Sequence, residues 1–337
     1  MGKIFATIKA ISTFLPPTVE DNRNFISERS IKKIGILERH IVTTESAGDL
    51  AISAAEKLFA EYKIDRNETD FILLCVQHPD HLGPHTSAHL QHLLGLSKNV
   101  GTMDISHGCA GYIYGLAAAK GLIETGLAKK ILFITSSVYT KYINEKDLAT
   151  RPVFGDGATA TWIEGVEGKE NLSAFVFGTD GEKFDKLIIP VGGSKLMPRD
   201  NPEIFLTDES GNVRSNYEIF MDGSAIAYFT LREVPPLIEN VLSKAELKRE
   251  DLDYCIFHQA NKFMLEHLRV KAELENVPYH NDISHTGNLV SGSVPLAIEQ
   301  VIKSVDTKNL RRVMLAGFGV GLSWAACIAD LSEMFRS

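Results

Sequence analysis

Short apolar runs of strand length alternate with helix-length segments along the whole 337-residue chain. IFATIKAI (4–11), FILLCVQ (71–77), VGTMDIS (100–106), KKILFITSSVY (129–139), ATATWIE (158–164), DYCIFHQ (253–259) and RVMLAGFG (312–319) read as strands. Several are apolar throughout, as expected of strands covered on both faces. Between them, residues 46–62 place Leu50, Ala54 and Leu58 on one helical face behind a serine or aspartate cap. Residues 85–95, 110–126, 224–245, 261–275 and 293–304 continue the helical series. This alternation predicts α/β layers around buried sheets, and the similar strand–helix order on either side of residue 170 allows two like halves. The stretch 180–217, rich in Gly, Pro, Asn and Asp, reads as loops laid over a site.

With 44% hydrophobic residues the chain can bury a large core, and a net charge of −8 argues against a nucleic-acid or anionic-membrane surface. No apolar run reaches membrane-spanning length, and Lys9 interrupts the apolar N-terminal stretch that a signal peptide would need. The four cysteines are scattered without a C-x-x-C pair, which suits a reducing cytoplasm and thiols that are packed or catalytic. The expectation is a cytoplasmic protein.

Cys109 stands in DISHGCAGYIYGLAAAKG, where a strand gives way to a small-residue helix. Backbone N–H groups at such a junction can stabilise a thiolate, lower its pKa and hold a developing oxyanion. The same cysteine could equally be a small packed residue among Gly108, Ala110 and Gly111. His107 occupies the position where a hydrolase nucleophile elbow needs glycine. His258, in FHQAN, closes a strand, where α/β sheets gather working groups. Asn288 follows Gly287 in a tight turn, and its amide can donate to a carbonyl or enolate oxygen without titrating. Alone, the histidine could be a satisfied core residue and the asparagine an ordinary turn residue. The glycines of GFGVGLSW (317–324) and FGDGATA (154–160) permit close backbone approach or simply make turns. Five of the eleven histidines (His78, His81, His85, His89 and His92) crowd into one segment. No cysteine or paired carboxylate joins them, which favours a solvated helix face over a metal centre.

Taken in order, these segments resemble the β-ketoacyl-acyl-carrier-protein synthase III family of the thiolase superfamily. KIGILERHI, PHTSAHLQHLLG, DISHGCAGYIYGL, FGDGATA, FHQAN, TGN-x-x-S and GFGVGLSW are similar to its signatures across nearly the whole chain. The resemblance implies a five-layered αβαβα fold, usually a homodimer, with residues 1–170 carrying the nucleophile and 171–337 the histidine and asparagine. It implies the triad Cys109, His258 and Asn288, with backbone N–H groups of Cys109 and Val320 as the oxyanion hole. It further implies that Cys109 takes an acyl group from a thioester and condenses it with malonyl-acyl-carrier protein, releasing carbon dioxide. No metal or redox cofactor is required.

Some positions depart from the best-known members. Arg29 stands where a tryptophan is often found, Leu148 where an arginine often lies, and Lys33 replaces another arginine. These changes point away from coenzyme A as an obligatory primer donor and towards an acyl group delivered on a carrier protein, or a longer one. Lys262, Arg269 and Lys271 could dock an acidic carrier protein or merely solvate a helix. The depth of the acyl pocket is expected to depend on which side chains from 85–92 and 195–225 face it. Other readings are an acyltransferase passing its acyl group to a hydroxyl or amine, and an inactive scaffold partner of a second synthase. A degradative thiolase would need a second cysteine near the C-terminal Gly-rich turn, and Cys327 lies beyond it in an apolar run.

Overall fold

The computed structural model describes residues 2–335. Strands β1 (Ile4–Phe14), β2 (Phe71–Cys75), β3 (Gly101–Ile105), β4 (Lys130–Ser137) and β5 (Gly157–Glu167) form one sheet in the order β1-β5-β4-β2-β3. Strands β6 (Leu172–Thr179), β7 (Tyr254–Phe257), β8 (Val313–Gly319) and β9 (Ser323–Ala329) form a second sheet in the order β7-β8-β9-β6. In the first sheet β2 and β4 are parallel, then β4–β5 and β5–β1 are antiparallel. The second repeats this: β7 and β8 are parallel, then β8–β9 and β9–β6 are antiparallel. The two halves therefore share one pairing pattern, and β3 adds an edge to the first.

Among the described residues the α-helices are α1 (Glu28–Ile34), which packs on α6, α2 (Ala47–Tyr62), α3 (Thr86–Leu93), α4 (Gly111–Glu124), α5 (Gly223–Ala245), α6 (Lys262–Lys271) and α7 (Ser293–Ser304). Helices α2 and α3 pack on the outer face of the first sheet, and α5 and α6 lie outside the second. Helices α4 and α7 touch both sheets and fill the space between them. The result is five layers, αβαβα. The all-apolar strands follow from this, because each sheet is covered on both faces. Helix α2 starts where the sequence places its cap: Ser46 and Asp49 form a reciprocal capping box. Helix α6 stops at Lys271, short of residue 275, and Glu273 turns the chain with a positive φ of 56°. The loop-rich 180–217 region holds one short two-stranded ribbon, Phe205–Thr207 with Val213–Ser215, and its Leu187–Ile188 pairs with Phe220–Met221 just beyond it. Among the described residues no helix is long and apolar enough to cross a membrane.

The halves meet where the end of β8 lies against the chain entering α4. A Cβ on Gly317 would stand 2.7 Å from both the Ala110 Cα and the Cys109 carbonyl oxygen. Backbone cannot yield as a side chain can. We expect Gly317→Ala to lower stability by about 1–3 kcal/mol, the usual cost of overpacking a dense core. The exposed α4 position Gly121, whose Cβ would meet nothing within 4 Å, gives the contrast. Gly121→Ala should raise stability by about 0.5–1 kcal/mol through helix propensity. Urea midpoints with unchanged slopes measure both, and equal midpoints for the two variants would contradict this packing.

Candidate active site

Cys109 lies one residue before the N-cap of α4, only 4% exposed, in an apolar cluster with Tyr139, Phe154, Leu187, Ile219 and Val290. The backbone N–H groups of Val320 and of Cys109 itself face the sulfur and favour its thiolate. Burial is the larger effect and pushes the thiol up to about 12. The lowered pKa expected from the helix end is thus reversed in the resting site, because water is excluded before the dipole can act.

His258 follows β7, and its backbone N–H donates to the Ala316 carbonyl at 2.7 Å, so the edge of the second sheet holds it. Its ring stands edge-on to Phe318, with centroids 5.5 Å apart. Burial, opposed in part by the Val290 carbonyl, pushes the imidazole down to about 3, so it is neutral at physiological pH. Its Nδ1 lies 2.7 Å from the Ser293 hydroxyl, and its Nε2 lies 3.5 Å from the Asn288 amide nitrogen. The Ser293 oxygen also accepts from the Gln259 N–H at 3.3 Å and lies 3.0 Å from the Val290 carbonyl. Its single proton can therefore go to Val290 or to Nδ1. When it goes to Nδ1, Nε2 carries the ring's hydrogen and becomes a donor.

Asn288 is held through its backbone. Its N–H donates to the Val153 carbonyl at 2.9 Å, and its carbonyl accepts from the Gly155 N–H at 3.1 Å. Gly287, at φ +74°, makes the turn, and a Cβ there would stand 2.9 Å from the Gly155 nitrogen. The Val290 N–H donates to Asn288 Oδ1 at 2.8 Å, which turns Nδ2 towards the histidine. Behind this bridge, the buried Arg39 donates to the Phe154 carbonyl at 2.9 Å and to Asn22 Oδ1 at 2.9 Å, and pairs with Glu20. Asp156 accepts from the backbone N–H groups of Val42 and Thr140 at 2.9 and 3.1 Å. FGDGATA is thus a structural junction that supports Asn288.

The Cys109–Val320 and His258–Asn288 pairs meet through Phe154 and Val290, which pack with Cys109 and bond to Asn288, whereas Lys262, Arg269 and Lys271 lie on α6. Lys262 and Lys271 are exposed, but Arg269 is half-buried and donates to the Leu274 and Glu275 carbonyls at 3.3 and 2.5 Å. A cavity of about 670 Å³ adjoins the site and includes Gln77, His78, Tyr139, Leu187, Ile219 and Val320 in its wall. Its walls come from 77–82 and 187–193 with a few residues of the 195–225 stretch, in place of the expected 85–92. His85, His89 and His92 line a separate surface cleft, because α3 begins only at Thr86 and turns them outward. Among the described residues no three His, Cys, Asp or Glu side chains are grouped to hold a metal ion. Cys327 is fully buried in β9, away from the C-terminal Gly-rich turn, while Cys75 lies behind the nucleophile segment, where its thiol donates to the His107 carbonyl at 3.3 Å and burial pushes it up to about 12. Sequence reasoning missed Ser293, which reads there only as a helix start, and Gln77 and Tyr139, which carry no local motif.

The family models for 3-oxoacyl-[acyl-carrier-protein (ACP)] synthase III and for its C-terminal region match residues 103–181 and 242–331. A β-ketoacyl-[acyl-carrier-protein] synthase III 2 of Staphylococcus epidermidis is 34% identical over 331 residues, covering 96% of this chain and 98% of that one. A β-ketoacyl-[acyl-carrier-protein] synthase III of Clostridioides difficile is 32% identical, covering 96% of this chain and 97% of its own. A crystal structure of a 3-oxoacyl-(acyl-carrier-protein) synthase III superposes with TM-score 0.92 at 39% identity, over 97% of this chain and 99% of that one. A 3-oxoacyl-(acyl carrier protein) synthase from Burkholderia xenovorans gives 0.86 at 30% identity, over 99% of this chain and 96% of that one.

Two outcomes follow from His258. Ser293→Ala removes the group that can direct hydrogen to Nε2, and we expect acylation of Cys109 to persist while the later histidine-dependent step slows about ten- to hundredfold, the weight of one lost buried hydrogen bond. Equal rates for both half-reactions in mutant and wild type would remove Ser293 from the mechanism. The folded pKa of about 3 lies below the ordinary imidazole value of 6.5, so the unfolded chain binds the proton more readily. Stability is therefore full above the unfolded pKa and falls as pH drops towards the folded one. His258 alone should cost about 2 kcal/mol at pH 5 relative to pH 8. Denaturation of wild type and His258→Asn at both pH values should show the mutant losing less.

Proposed function

This chain belongs to the 3-oxoacyl-[acyl-carrier-protein] synthase III family, and from that premise we propose that Cys109, His258 and Asn288 carry its chemistry. The reaction is the condensation of an acyl thioester with malonyl-acyl-carrier protein to a β-ketoacyl-acyl-carrier protein. Cys109 attacks the primer thioester, and the Val320 and Cys109 N–H groups hold the tetrahedral oxyanion. The C–S bond to the carrier breaks, the thiol proton ends on the departing carrier, and the acyl group stays on Cys109. Malonyl-carrier protein then loses carbon dioxide. His258 Nε2–H and Asn288 Nδ2–H donate to its thioester oxygen and stabilise the enolate. The enolate carbon bonds to the acyl carbonyl carbon, the oxyanion collapses, and the Cys109 sulfur leaves and regains a proton.

The observation that carries this reading is the neutrality of His258 beside a second neutral donor. A histidine pushed down to about 3 is a poor general base for activating a hydroxyl or amine acceptor, but a competent hydrogen-bond donor to an enolate. Transfer to such an acceptor is accordingly not favoured.

Exposed Lys262 of α6, together with Lys33 of α1, whose ammonium lies 5.3 Å from the Phe263 ring centroid, forms the face offered to an acidic carrier protein, whereas Lys271, nine residues further on, lies on the opposite side of the helix. Arg269 would brace the loop after α6. The free edge of β3, with Met103 38% exposed, supports pairing with a second copy in a homodimer. No residue in the site calls for a metal or redox cofactor.

Intact-protein mass spectrometry after incubation with acyl-coenzyme A and acyl-carrier-protein donors tests the nucleophile. Wild type should gain one acyl group, and Cys109→Ala none. Addition of radiolabelled malonyl-carrier protein to the loaded enzyme should then release labelled carbon dioxide, with release falling about 100-fold or more in His258→Ala or Asn288→Ala while loading remains. Loading without carbon dioxide release, accompanied by acylation of an added alcohol or amine, would overturn the reading.

A further inference from the structure

The cavity beside Cys109 has two unlike walls. One is aliphatic, made by Leu187, Ile189, Val191 and Ile219. The other is polar, made by Gln77, His78, Tyr139 and Tyr142. Both walls begin near the sulfur: a Cβ on Gly108 would stand 2.0 Å from Val320 Cγ1 and 2.8 Å from Gln77 Oε1, and Tyr139 packs in the same cluster as Cys109. An acyl chain on Cys109 that enters the cavity therefore passes the Gln77 amide.

The amide is oriented. The Tyr139 hydroxyl donates to Gln77 Oε1 in a short hydrogen bond, which leaves Nε2 as the free end. No hydrogen bond from Gln77 Nε2, the His78 ring or the Tyr142 hydroxyl to another protein group occurs among the described residues. His78 is stacked on Tyr142 at 4.1 Å and set edge-on to Tyr139 at 5.0 Å, so its ring is fixed in the wall. Burial pushes its imidazole down to about 4, so it is neutral. A plain alkyl chain would dry this wall and leave its donors unmatched, which costs affinity. No Lys or Arg lines the cavity, and Asp80 does. An acyl group ending in a carboxylate has no counter-charge there.

Resting on the synthase reading above, we propose that the primer is an acyl group bearing, near its thioester end, a neutral hydrogen-bond acceptor, a hydroxyl or keto oxygen, which Gln77 Nε2 recognises. Tyr139 is the positioning residue that keeps the amide in register. The aliphatic wall packs the opposite side of the chain.

The test uses N-acetylcysteamine thioesters, which are independent of the carrier. Butyryl, 3-hydroxybutyryl, 3-oxobutyryl and succinyl thioesters are compared as donors, and kcat/KM for acylation of Cys109 is read by intact mass. The hydroxy or oxo ester should load about tenfold or more faster than butyryl, since a site built to bond a polar substituent rejects the analogue lacking it. Succinyl should load most slowly. Gln77→Met, close in shape without the amide, should bring the ratio near unity, and Tyr139→Phe should lower it with the fold checked by thermal melting. Butyryl loading as fast as both polar esters, or a preference that survives Gln77→Met, overturns the proposal while leaving the synthase reading intact. Failure of every ester, and of the acyl-coenzyme A and carrier-protein donors, to acylate Cys109 would instead overturn the synthase reading itself.

Discussion

The backbone of β8 runs directly against the backbone that carries the nucleophile, and much of the architecture is arranged around that approach. Gly317 faces Ala110 and the Cys109 carbonyl, and a Cβ on Gly319 would stand 2.6 Å from the sulfur. Side chains on these residues would hold the two sheets apart. With none, the turn after β8 comes close enough for the Val320 N–H to face the sulfur across the boundary between the halves. The pair of N–H groups proposed as an oxyanion hole is therefore a product of the interface between two sheets. Helices α4 and α7, each touching both sheets, fill the space between them on either side of this approach.

Burial sets the chemical character of what is gathered there. It pushes Cys109 up to about 12 and His258 down to about 3, so the resting site holds a neutral thiol beside a neutral imidazole. Such a pair does not carry a stored ion pair, and proton transfer has to follow the arrival of substrate. What the site offers without rearrangement is fixed donors: two N–H groups at the sulfur and the Asn288 amide beside His258. Donors of this kind cost little reorganisation when charge develops on a carbonyl oxygen. Their rigidity comes from a distance, through the Phe154–Asn288 bridge held by the buried Arg39 and the junction around Asp156.

Much of this was legible before any coordinates. Apolar strand runs alternating with helices announce two-sided burial, and the segments around Cys109, His258 and Asn288 are distinctive in order and spacing. The loss of local signal begins with groups that act through others. Ser293 looks like a helix start, yet its oxygen touches His258, which is 35 positions away in the chain. Gln77 sits at a strand end, and its orientation depends on Tyr139, 62 positions later. The lowered thiol pKa was a sound inference from a helix terminus, but it assumed a solvated terminus.

The sequence by itself determined the layered α/β fold, the family and the residues proposed as nucleophile and partners, because those rest on local periodicity and on residue type at short spacing. The tertiary structure alone decided the protonation states, the hydrogen-bond direction at Asn288 and the walls of the cavity. Each of those depends on which atoms from distant segments exclude water or face one another, and desolvation and hydrogen-bond direction are properties of a packed neighbourhood that no local stretch of chain carries.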